Sequence, residues 1–227
     1  MEQNLKHQNR FRFVAFDLDG TICDTIRDIA ASLNRALASF GFQTYSDDAV
    51  AGLVGKSIVY MCKNAVPPEQ YDAWVGVRDA FLVDYTDHLA DTTVPYPEMR
   101  ELLCALKRRG MTLAVVTNKP DPHAKKLIGL LFSPEGSTFA CVQGQCEQYP
   151  TKPDPVMLDV VRERLGFTRE ESLYVGDMDV DVQFAENAGL TCVGCAWGYR
   201  GEAFLRQAGA EHIISHPLAL LDIIDTL

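Results

Sequence analysis

Four short polar segments stand out in this sequence of 227 residues, because each lies at or soon after the end of a predicted strand. In chain order they are Asp17-Leu18-Asp19-Gly20-Thr21, Thr117-Asn118, Lys152-Pro153-Asp154-Pro155 and Gly176-Asp177-Met178-Asp179-Val180-Asp181. Ligands of open parallel sheets bind just beyond the carboxyl ends of the strands, so we expect these segments to surround one crevice. That crevice would combine carboxylates, a hydroxyl, an amide and an ammonium group.

Each segment taken alone has a simpler interpretation. Asp17 and Asp19 are of a type that often forms turns or caps helices after a strand. Thr117 and Asn118 have the same capping ability, and an isolated Lys152 is typical of a solvated surface charge. The functional interpretation therefore depends on the four segments occurring together.

The acidic residues do not form a calcium-binding loop of the EF-hand type. Such a loop needs glycine at its sixth position and glutamate at its twelfth. Counted from Asp177, those positions hold Val182 and Ala188, and counted from Asp17 the sixth position holds Ile22. Acids contributed by two separate loops, completed by waters and substrate oxygens, suit Mg²⁺ better.

The pattern of apolar residues predicts an α/β fold. A buried strand at 11–16 is followed by helical periodicity up to about residue 91, with no convincing strand in 23–92 and a linker at 92–97. Strands then alternate with helices. Predicted strands are 112–116, 139–142, 172–175, 191–195 and 212–214, and predicted helices are 98–109, 122–131, 154–165, 180–188, 202–207 and 217–224.

This alternation favours a Rossmann-like parallel sheet core with helices on both faces. The helical stretch that interrupts it indicates an inserted all-helical cap domain. We therefore expect a core domain formed by residues 1–22 and 93–227, and a cap domain formed by residues 23–92.

Composition limits the class of protein. The net charge of −10 disfavours a general nucleic-acid binder. The sequence contains no apolar stretch of about 18 residues, so we expect no membrane span. The polar residues 1–10 suggest a frayed tail rather than a secretory signal. Seven scattered cysteines, an odd number, are typical of reduced thiols in a cytoplasmic protein.

In this order, the four segments resemble the four motifs of the haloacid dehalogenase superfamily. The helical insert just after the first motif is similar to the phosphoglycolate phosphatase-like branch. The resemblance implies that Asp17 is a nucleophile that becomes an aspartyl phosphate. It also implies that Asp19 protonates the leaving oxygen and then deprotonates the attacking water, and that Lys152 steadies the nucleophile and the phosphate.

The same resemblance implies the binding residues. Thr117, Asn118 and the backbone N–H groups near Gly20 would hold the phosphoryl oxygens. Mg²⁺ would be bound by the side chains of Asp17 and Asp177 and by the backbone carbonyl of Asp19. Asp181 would hold the metal directly or through water. The partner would be a small phosphorylated metabolite, with phosphoglycolate as the family-level expectation.

Some alternatives remain open. The acid Asp19 indicates phosphoryl transfer, because the dehalogenase branch lacks an acid at this position. A phosphomutase and a catalytically silent scaffold on the same fold are also compatible with the sequence. Lys56, in a turn at residues 52–57, is either a contact for the distal part of the substrate or a solvated lysine. Cys192-x-x-Cys195 permits a zinc or redox interpretation, although buried cysteine often acts as a small apolar residue. A monomer and a homodimer are both compatible with the sequence.

Overall fold

A computed structural model describes residues 10–132 and 138–227 of the chain. The predicted tail at residues 1–10 lies outside this part except for Arg10. Among the described residues, no helix combines the length and the apolar composition needed to cross a lipid bilayer.

The strands of the described chain form a six-stranded sheet and a separate two-stranded ribbon. They are β1 (Phe13–Phe16), β2 (Cys23–Asp24), β3 (Val94–Pro95), β4 (Thr112–Pro120), β5 (Cys141–Gln145), β6 (Ser172–Gly176), β7 (Thr191–Cys195) and β8 (His212–Ile214). The large sheet has the order β5-β4-β1-β6-β7-β8, and all its pairs are parallel. The predicted parallel α/β fold is therefore confirmed.

Helices connect these strands. They are α1 (Ile26–Ser39), α2 (Asp47–Ala51), α3 (Ile58–Ala65), α4 (Trp74–His88), α5 (Met99–Arg108), α6 (Asp121–Phe132), α7 (Val156–Arg164), α8 (Asp179–Ala188), α9 (Gly201–Gln207) and α10 (Ala219–Thr226), with a 3-10 helix at Pro68–Ala73. Local sequence explains where several of them start. At α3, for example, the Ser57 hydroxyl accepts a hydrogen bond from the Tyr60 N–H at 3.0 Å, which satisfies one free donor of the first turn.

Helices cover both faces of the large sheet. Because successive side chains of a strand point to opposite faces, the residues of β1 divide between two apolar clusters. On β1, Val14 and Phe16 belong to one apolar cluster, which also contains residues of α5 and α10. Phe13 and Ala15 belong to a second cluster, which contains residues of α7 and α8. All four side chains are completely buried, so β1 is the centre of both cores.

The helices α1 to α4, called the cap helices or simply the cap below, occupy the segment that was predicted as a cap domain. Their apolar interior is continuous with the core, since one cluster contains Leu33 of α1, Phe81 of α4, Leu102 of α5 and Val115 of β4. The division into a core domain and a cap domain at residues 22/23 and 92/93 stays a prediction.

The expectation that 23–92 contains no strand was wrong at its first residues. Cys23–Asp24 pairs antiparallel with Val94–Pro95, inside the segment that was predicted as a linker. Two residues are too few to produce a recognisable periodicity, which is why the sequence pattern could not reveal this ribbon. The ribbon brings the start and the end of the helical segment together.

The order of the strands places a ligand crevice at the carboxyl end of β1. The chain continues from β1 to β4 and β5 on one side, and later to β6, β7 and β8 on the other side. Such a reversal of strand order opens a crevice between the connections that leave in opposite directions. Asp17 is the first residue after β1.

Candidate active site

Asp17 lies at the floor of the crevice and is 3% exposed. Burial raises its pKa from 3.8 to about 6, while Lys152 acts in the opposite direction. Lys152 Nζ lies 3.0 Å from Asp17 Oδ1, yet no donor among the described residues completes a well-directed hydrogen bond to that oxygen. Near neutral pH, Asp17 is therefore ionised and poorly solvated, with one oxygen available to an electrophile or a cation.

Lys152 supplies the positive charge beside Asp17. Its side chain is completely buried, and its Nζ also donates to Asp181 Oδ1 at 2.7 Å and to the Tyr174 hydroxyl at 3.1 Å. Burial lowers the pKa of Lys152, but Asp17 and Asp181 outweigh that effect and hold the net pKa above its usual value. Lys152 is thus an ammonium group shared by two carboxylates.

Three buried carboxylates meet at this point. Asp17, Asp177 and Asp181 each offer an oxygen, and these oxygens lie within 4.8 Å of one another. Burial, with added repulsion from Asp181 and Asp17, holds the pKa of Asp177 well above its usual value. One lysine does not neutralise three carboxylates, so the donor set fits a hard divalent cation with oxygen ligands.

The two aspartates of the fourth motif differ in what their oxygens already contact. Asp181 Oδ2 accepts hydrogen bonds from the N–H groups of Asp177 and Met178, at 3.1 and 3.0 Å. Its Oδ1 accepts from Lys152 and, at 3.3 Å, from Tyr174. Because each Asp181 oxygen accepts two hydrogen bonds, one of them from the Lys152 ammonium group, whereas each Asp177 oxygen accepts one from a neutral donor, Asp181 fits the predicted contact through water better than direct ligation.

The side chain of Asp177 lies in a cradle, formed by the backbone at Gly20 and Gly198 and by two hydrogen-bond donors. The Thr21 hydroxyl donates to its Oδ1 and the Tyr199 N–H to its Oδ2, both at 3.0 Å. A Cβ atom at Gly20 or at Gly198 would overlap the Asp177 side chain. These positions therefore require glycine so that the backbone can approach the carboxylate.

Gly20 also has a backbone partner within its own loop. Its N–H donates to the Cys23 carbonyl at 2.9 Å, and its φ is +82°. The predicted contact between phosphate and the N–H groups near Gly20 stays a prediction, and in this loop it concerns the neighbouring N–H groups more than that of Gly20.

Asp19 is held through one of its two oxygens. Its Oδ1 accepts hydrogen bonds from the Thr25 hydroxyl at 2.7 Å and from Lys119 Nζ at 2.9 Å. No hydrogen bond to its Oδ2 occurs within the described residues, and the side chain is 11% exposed toward the crevice. The oxygen that is free to exchange a proton is therefore Oδ2.

Thr117 and Asn118 lie in the carboxyl-terminal half of β4 and are buried. The Asn118 Nδ2 group donates to the carbonyls of Gly55 and Lys56, at 3.0 and 2.7 Å, and its Oδ1 accepts from the Lys152 N–H at 2.8 Å. The Asn118 side chain thus ties the cap turn to the loop that carries Lys152. Phosphate binding by Thr117 and Asn118 stays a prediction.

Lys56 contributes its backbone to this junction, as the carbonyl that accepts from Asn118. Its side chain is exposed, and its Nζ lies 5.0 Å from the centre of the Tyr60 ring. The predicted contact between the Lys56 side chain and a substrate stays a prediction.

A chamber lies between the crevice and the cap helices and contains about 480 Å³ of empty space, part of it open to solvent. Its core end is polar and its cap end is apolar. The core end is lined by Asp17, Asp19, Thr117, Asn118 and Lys119, and the cap end by Ile29, Val54, Ile58, Met61 and Phe81.

Sequence reasoning missed Lys119, although it directly follows Thr117-Asn118. Its side chain is buried, contacts Asp19 and contacts the Tyr85 hydroxyl of the cap at 2.6 Å. The strand was predicted to end at Val116, whereas β4 continues to Pro120. A lysine at the carboxyl end of a buried strand was the signal that could have identified it.

Sequence reasoning also missed the segment after β7. Besides donating from its N–H to Asp177, Tyr199 lies with its hydroxyl 2.8 Å from that of Thr25. Trp197 Nε1 donates to the Thr21 carbonyl at 3.1 Å. The rule that ligands bind beyond strand ends applied here too, but Ala196-Trp197-Gly198-Tyr199 lacks the charged residues that drew attention to the other segments.

The cysteines do not form a second site in the described chain. All seven are free thiols, and the acidic cluster is the one group of three possible metal-ligating side chains found among the described residues. Cys195 is buried and Cys192 half-buried, as expected for small apolar residues.

Comparison with known proteins agrees with this geometry. Residues 14–195 match the family model of haloacid dehalogenase-like hydrolases. Phosphoglycolate phosphatase of Pseudomonas putida is 34% identical over 193 residues, which are 83% of this chain and 70% of that protein. Phosphoglycolate phosphatase of Aquifex aeolicus is 31% identical over 214 residues, which are 94% of this chain and 97% of that protein.

The fold also matches that of a solved structure. The crystal structure of a predicted phosphoglycolate phosphatase from Haemophilus somnus superimposes with a TM-score of 0.86 and 26% identity, over 95% of this chain and 99% of that one. The match of the family model covers most of the chain and includes the residues that bring Asp17, Lys152 and Asp177 together. The chain belongs to the haloacid dehalogenase-like hydrolases, in their phosphoglycolate phosphatase-like branch.

Proposed function

We propose that this protein is a Mg²⁺-dependent phosphatase that hydrolyses a small phosphate monoester through an aspartyl phosphate at Asp17. One observation carries the proposal: Asp17 Oδ1 is buried, lacks a well-directed hydrogen bond and lies 3.0 Å from Lys152 Nζ. A carboxylate in this state is a competent nucleophile once the charge of an approaching phosphate is neutralised.

The first step is transfer of the phosphoryl group to Asp17. An Asp17 carboxylate oxygen forms a bond to phosphorus while the bond from phosphorus to the ester oxygen breaks. The departing oxygen takes a proton from Asp19, which lines the same chamber. General acid catalysis of this kind contributes about 10²–10⁴-fold to a rate.

The second step regenerates the enzyme. Asp19, now a carboxylate, removes a proton from water, and the water oxygen forms a bond to phosphorus. The bond between phosphorus and the Asp17 oxygen breaks, which restores the Asp17 carboxylate and releases inorganic phosphate. The same residue thus acts first as acid and then as base.

The acidic cluster fits the metal. Asp17, Asp177 and the carbonyl of Asp19 would hold Mg²⁺, and Asp181 would act through water because Lys152, Tyr174 and backbone N–H groups already occupy its oxygens. Bound Mg²⁺ supplies charge neutralisation for the phosphoryl group. Lys152, Thr117, Asn118 and the N–H groups near Gly20 would hold the remaining phosphoryl oxygens.

We infer a small leaving group, with phosphoglycolate as the first candidate substrate. The chamber leads from the polar crevice to a cap end that is lined by apolar side chains such as Ile58, Met61 and Phe81 and, among the described residues, offers no charged partner to a large polar group. Relatives from Pseudomonas putida and Aquifex aeolicus that bear the name phosphoglycolate phosphatase support this candidate.

A metal-dependent release assay tests the proposal. The protein is incubated with p-nitrophenyl phosphate and, separately, phosphoglycolate, each with Mg²⁺ or with EDTA. The Asp17→Asn variant serves as the inactive enzyme and Lys125→Met as the control, because Lys125 forms only an exposed ion pair with Asp121. We expect release only with Mg²⁺ and only from the wild type and Lys125→Met.

Each other result has a distinct meaning. Release that is insensitive to EDTA, or that persists in Asp17→Asn, contradicts the mechanism. An isomerised sugar phosphate in place of free phosphate identifies a phosphomutase, and no turnover of a broad panel of esters identifies a binding protein.

A further inference from the structure

Two buried lysines lie in the crevice, and each forms an ion pair with one of the two aspartates that follow β1. Lys152 pairs with Asp17 at 3.0 Å, and Lys119 pairs with Asp19 at 2.9 Å. The side chains of Lys152 and Lys119 are 0% and 2% exposed. Burying an ammonium group is costly unless it is paired and hydrogen-bonded, so both positions are specific features of the site.

Lys119 is attached to the cap as well as to Asp19. Its Nζ donates to the hydroxyl of Tyr85 at 2.6 Å and lies 4.7 Å from the centre of that ring. Tyr85 belongs to cap helix α4, is 1% exposed and stacks on Phe81 with ring centres 5.2 Å apart. The lysine therefore bridges a rigid aromatic pair in the cap and a carboxylate in the core.

The bridge determines which Asp19 oxygen is available. Lys119 and Thr25 both donate to Oδ1, and no donor among the described residues reaches Oδ2. A carboxyl group held through one oxygen keeps a fixed orientation, and its other oxygen then points in one direction only. General acid catalysis requires that the proton lies within hydrogen-bond reach of the departing oxygen.

We propose that Lys119 is a positioning residue, anchored by Tyr85 of the cap, that orients Asp19 so that Oδ2 exchanges protons with the leaving group and the water. The inference rests on the proposed phosphatase function. Lys119 acts through Asp19 and does not itself bind the phosphate or the distal end of the substrate.

Leaving-group dependence separates this role from a purely structural one. Benzyl phosphate and p-nitrophenyl phosphate are similar in size, but benzyl alkoxide needs a proton to leave whereas p-nitrophenolate is a stable anion. The parameter kcat/KM reports the steps up to the first irreversible one, so it senses protonation of the leaving group. It does not sense the later hydrolysis of the aspartyl phosphate.

The experiment measures KM and kcat/KM of the wild type, Lys119→Met, Tyr85→Phe and Lys125→Met on both esters, and on phosphoglycolate, in the presence of Mg²⁺. For Lys119→Met we expect a loss of about 100-fold on benzyl phosphate, the lower end of a general-acid effect, and less than about 3-fold on p-nitrophenyl phosphate. Tyr85→Phe should show the same selectivity with a smaller loss, and Lys125→Met should match the wild type.

Lys119→Met should also release a burst of p-nitrophenolate, because misplaced Asp19 slows the second step after a fast first step. Tyr85→Phe keeps the ring and removes only the hydroxyl, so it provides the test if Lys119→Met does not fold. Circular dichroism and thermal unfolding establish which variants are folded.

Equal losses on the two esters, in folded protein, would overturn the inference and assign Lys119 to phosphate binding or to structure. A rise in KM confined to phosphoglycolate, with the two esters that lack a carboxylate unaffected, would overturn it as well and make Lys119 a carboxylate-binding residue. Failure of the wild type to hydrolyse any of these esters would instead contradict the proposed function.

Discussion

Lys152 Nζ lies 3.0 Å from Asp17 Oδ1, and the two side chains are 0% and 4% exposed. Asp17 follows β1, whereas Lys152 lies in the loop between β5 and α7. The sheet thus brings together two charges that are 135 residues apart in the sequence, and burial makes each depend on the other. Removing one partner of a buried pair leaves an uncompensated charge, which is more harmful than never having had the pair.

Lys152→Met should therefore destabilise the protein as well as inactivate it. We expect a loss of about 3–5 kcal/mol in the free energy of unfolding, because Asp17 and Asp181 lose their shared cation. Urea unfolding of metal-free protein measures this change. The matched control is Lys125→Met, which removes an exposed pair and should cost less than about 1 kcal/mol. Equal small effects in the two variants would contradict the assigned role of Lys152.

The pKa of Asp17 predicts how the stability of the metal-free protein varies with pH. Since the folded-state pKa of about 6 lies above the ordinary value of 3.8, the folded protein binds this proton more tightly than the unfolded chain does. The resulting stabilisation is fully present below the unfolded pKa and is lost as the pH rises through the folded pKa. The loss amounts to about 3 kcal/mol across this window.

Asp17→Asn should remove that contribution. Urea titrations from pH 4.5 to 7.5 in EDTA should show a smaller decline of unfolding free energy in Asp17→Asn than in the wild type. Identical pH dependence of the two proteins would indicate that Asp17 has an ordinary pKa in the folded state.

The acidic cluster predicts stabilisation by Mg²⁺ even without substrate. A ligand that binds only the folded state raises the free energy of unfolding by about 2.7 kcal/mol at a concentration 100 times its Kd. Thermal unfolding with Mg²⁺ or EDTA should therefore show a higher Tm with metal. Asp177→Asn should largely abolish this increase, and Asp181→Asn should weaken it less, because Asp181 is already paired with the Lys152 ammonium group whereas Asp177 accepts hydrogen bonds from neutral donors only. Equal Mg²⁺-induced increases in the wild type and Asp177→Asn would exclude Asp177 as a ligand.

The close approach at Gly198 predicts a steric effect on the same site. A Cβ atom there would overlap Asp177, so Gly198→Ala must displace either the carboxylate or the Trp197–Tyr199 backbone. We expect at least a 10-fold loss of phosphate release, a change of about 1.4 kcal/mol or more in the barrier. Gly129→Ala is the control, since a Cβ atom at this exposed helical position meets nothing within 4 Å. Normal activity of Gly198→Ala would show that the Asp177 cradle tolerates movement.

The order of the main elements could be predicted from sequence because each has a strong local signal. The strands Thr191–Cys195 and His212–Ile214 coincide with their predicted bounds. The ends of strands were less predictable, since continuation of β4 to Pro120 depends on pairing with Gln145 of β5 rather than on apolar pattern.

The same limit applies to the site. Asp17, Asp177 and Lys152 could be predicted as site residues because four polar segments follow strand ends in one chain, in an order that resembles the haloacid dehalogenase motifs. The partners that orient them, such as Tyr85 and Tyr199, come from elements whose sequence reads as ordinary helix or loop. Their contacts join residues that are distant in the sequence and form only in the folded protein, so the local periodicity of the sequence cannot predict them.

The central claim is that Asp17 becomes phosphorylated during turnover, and chemical trapping tests it most directly. Sodium borohydride reduces an aspartyl phosphate to homoserine, so rapid quenching during steady-state turnover of p-nitrophenyl phosphate with Mg²⁺, followed by peptide mass spectrometry, locates the residue. The account predicts homoserine at position 17 in the wild type and none with EDTA or in Asp17→Asn. Homoserine at another aspartate, or rapid phosphate release by an enzyme that shows no homoserine under conditions that preserve the intermediate, would contradict it.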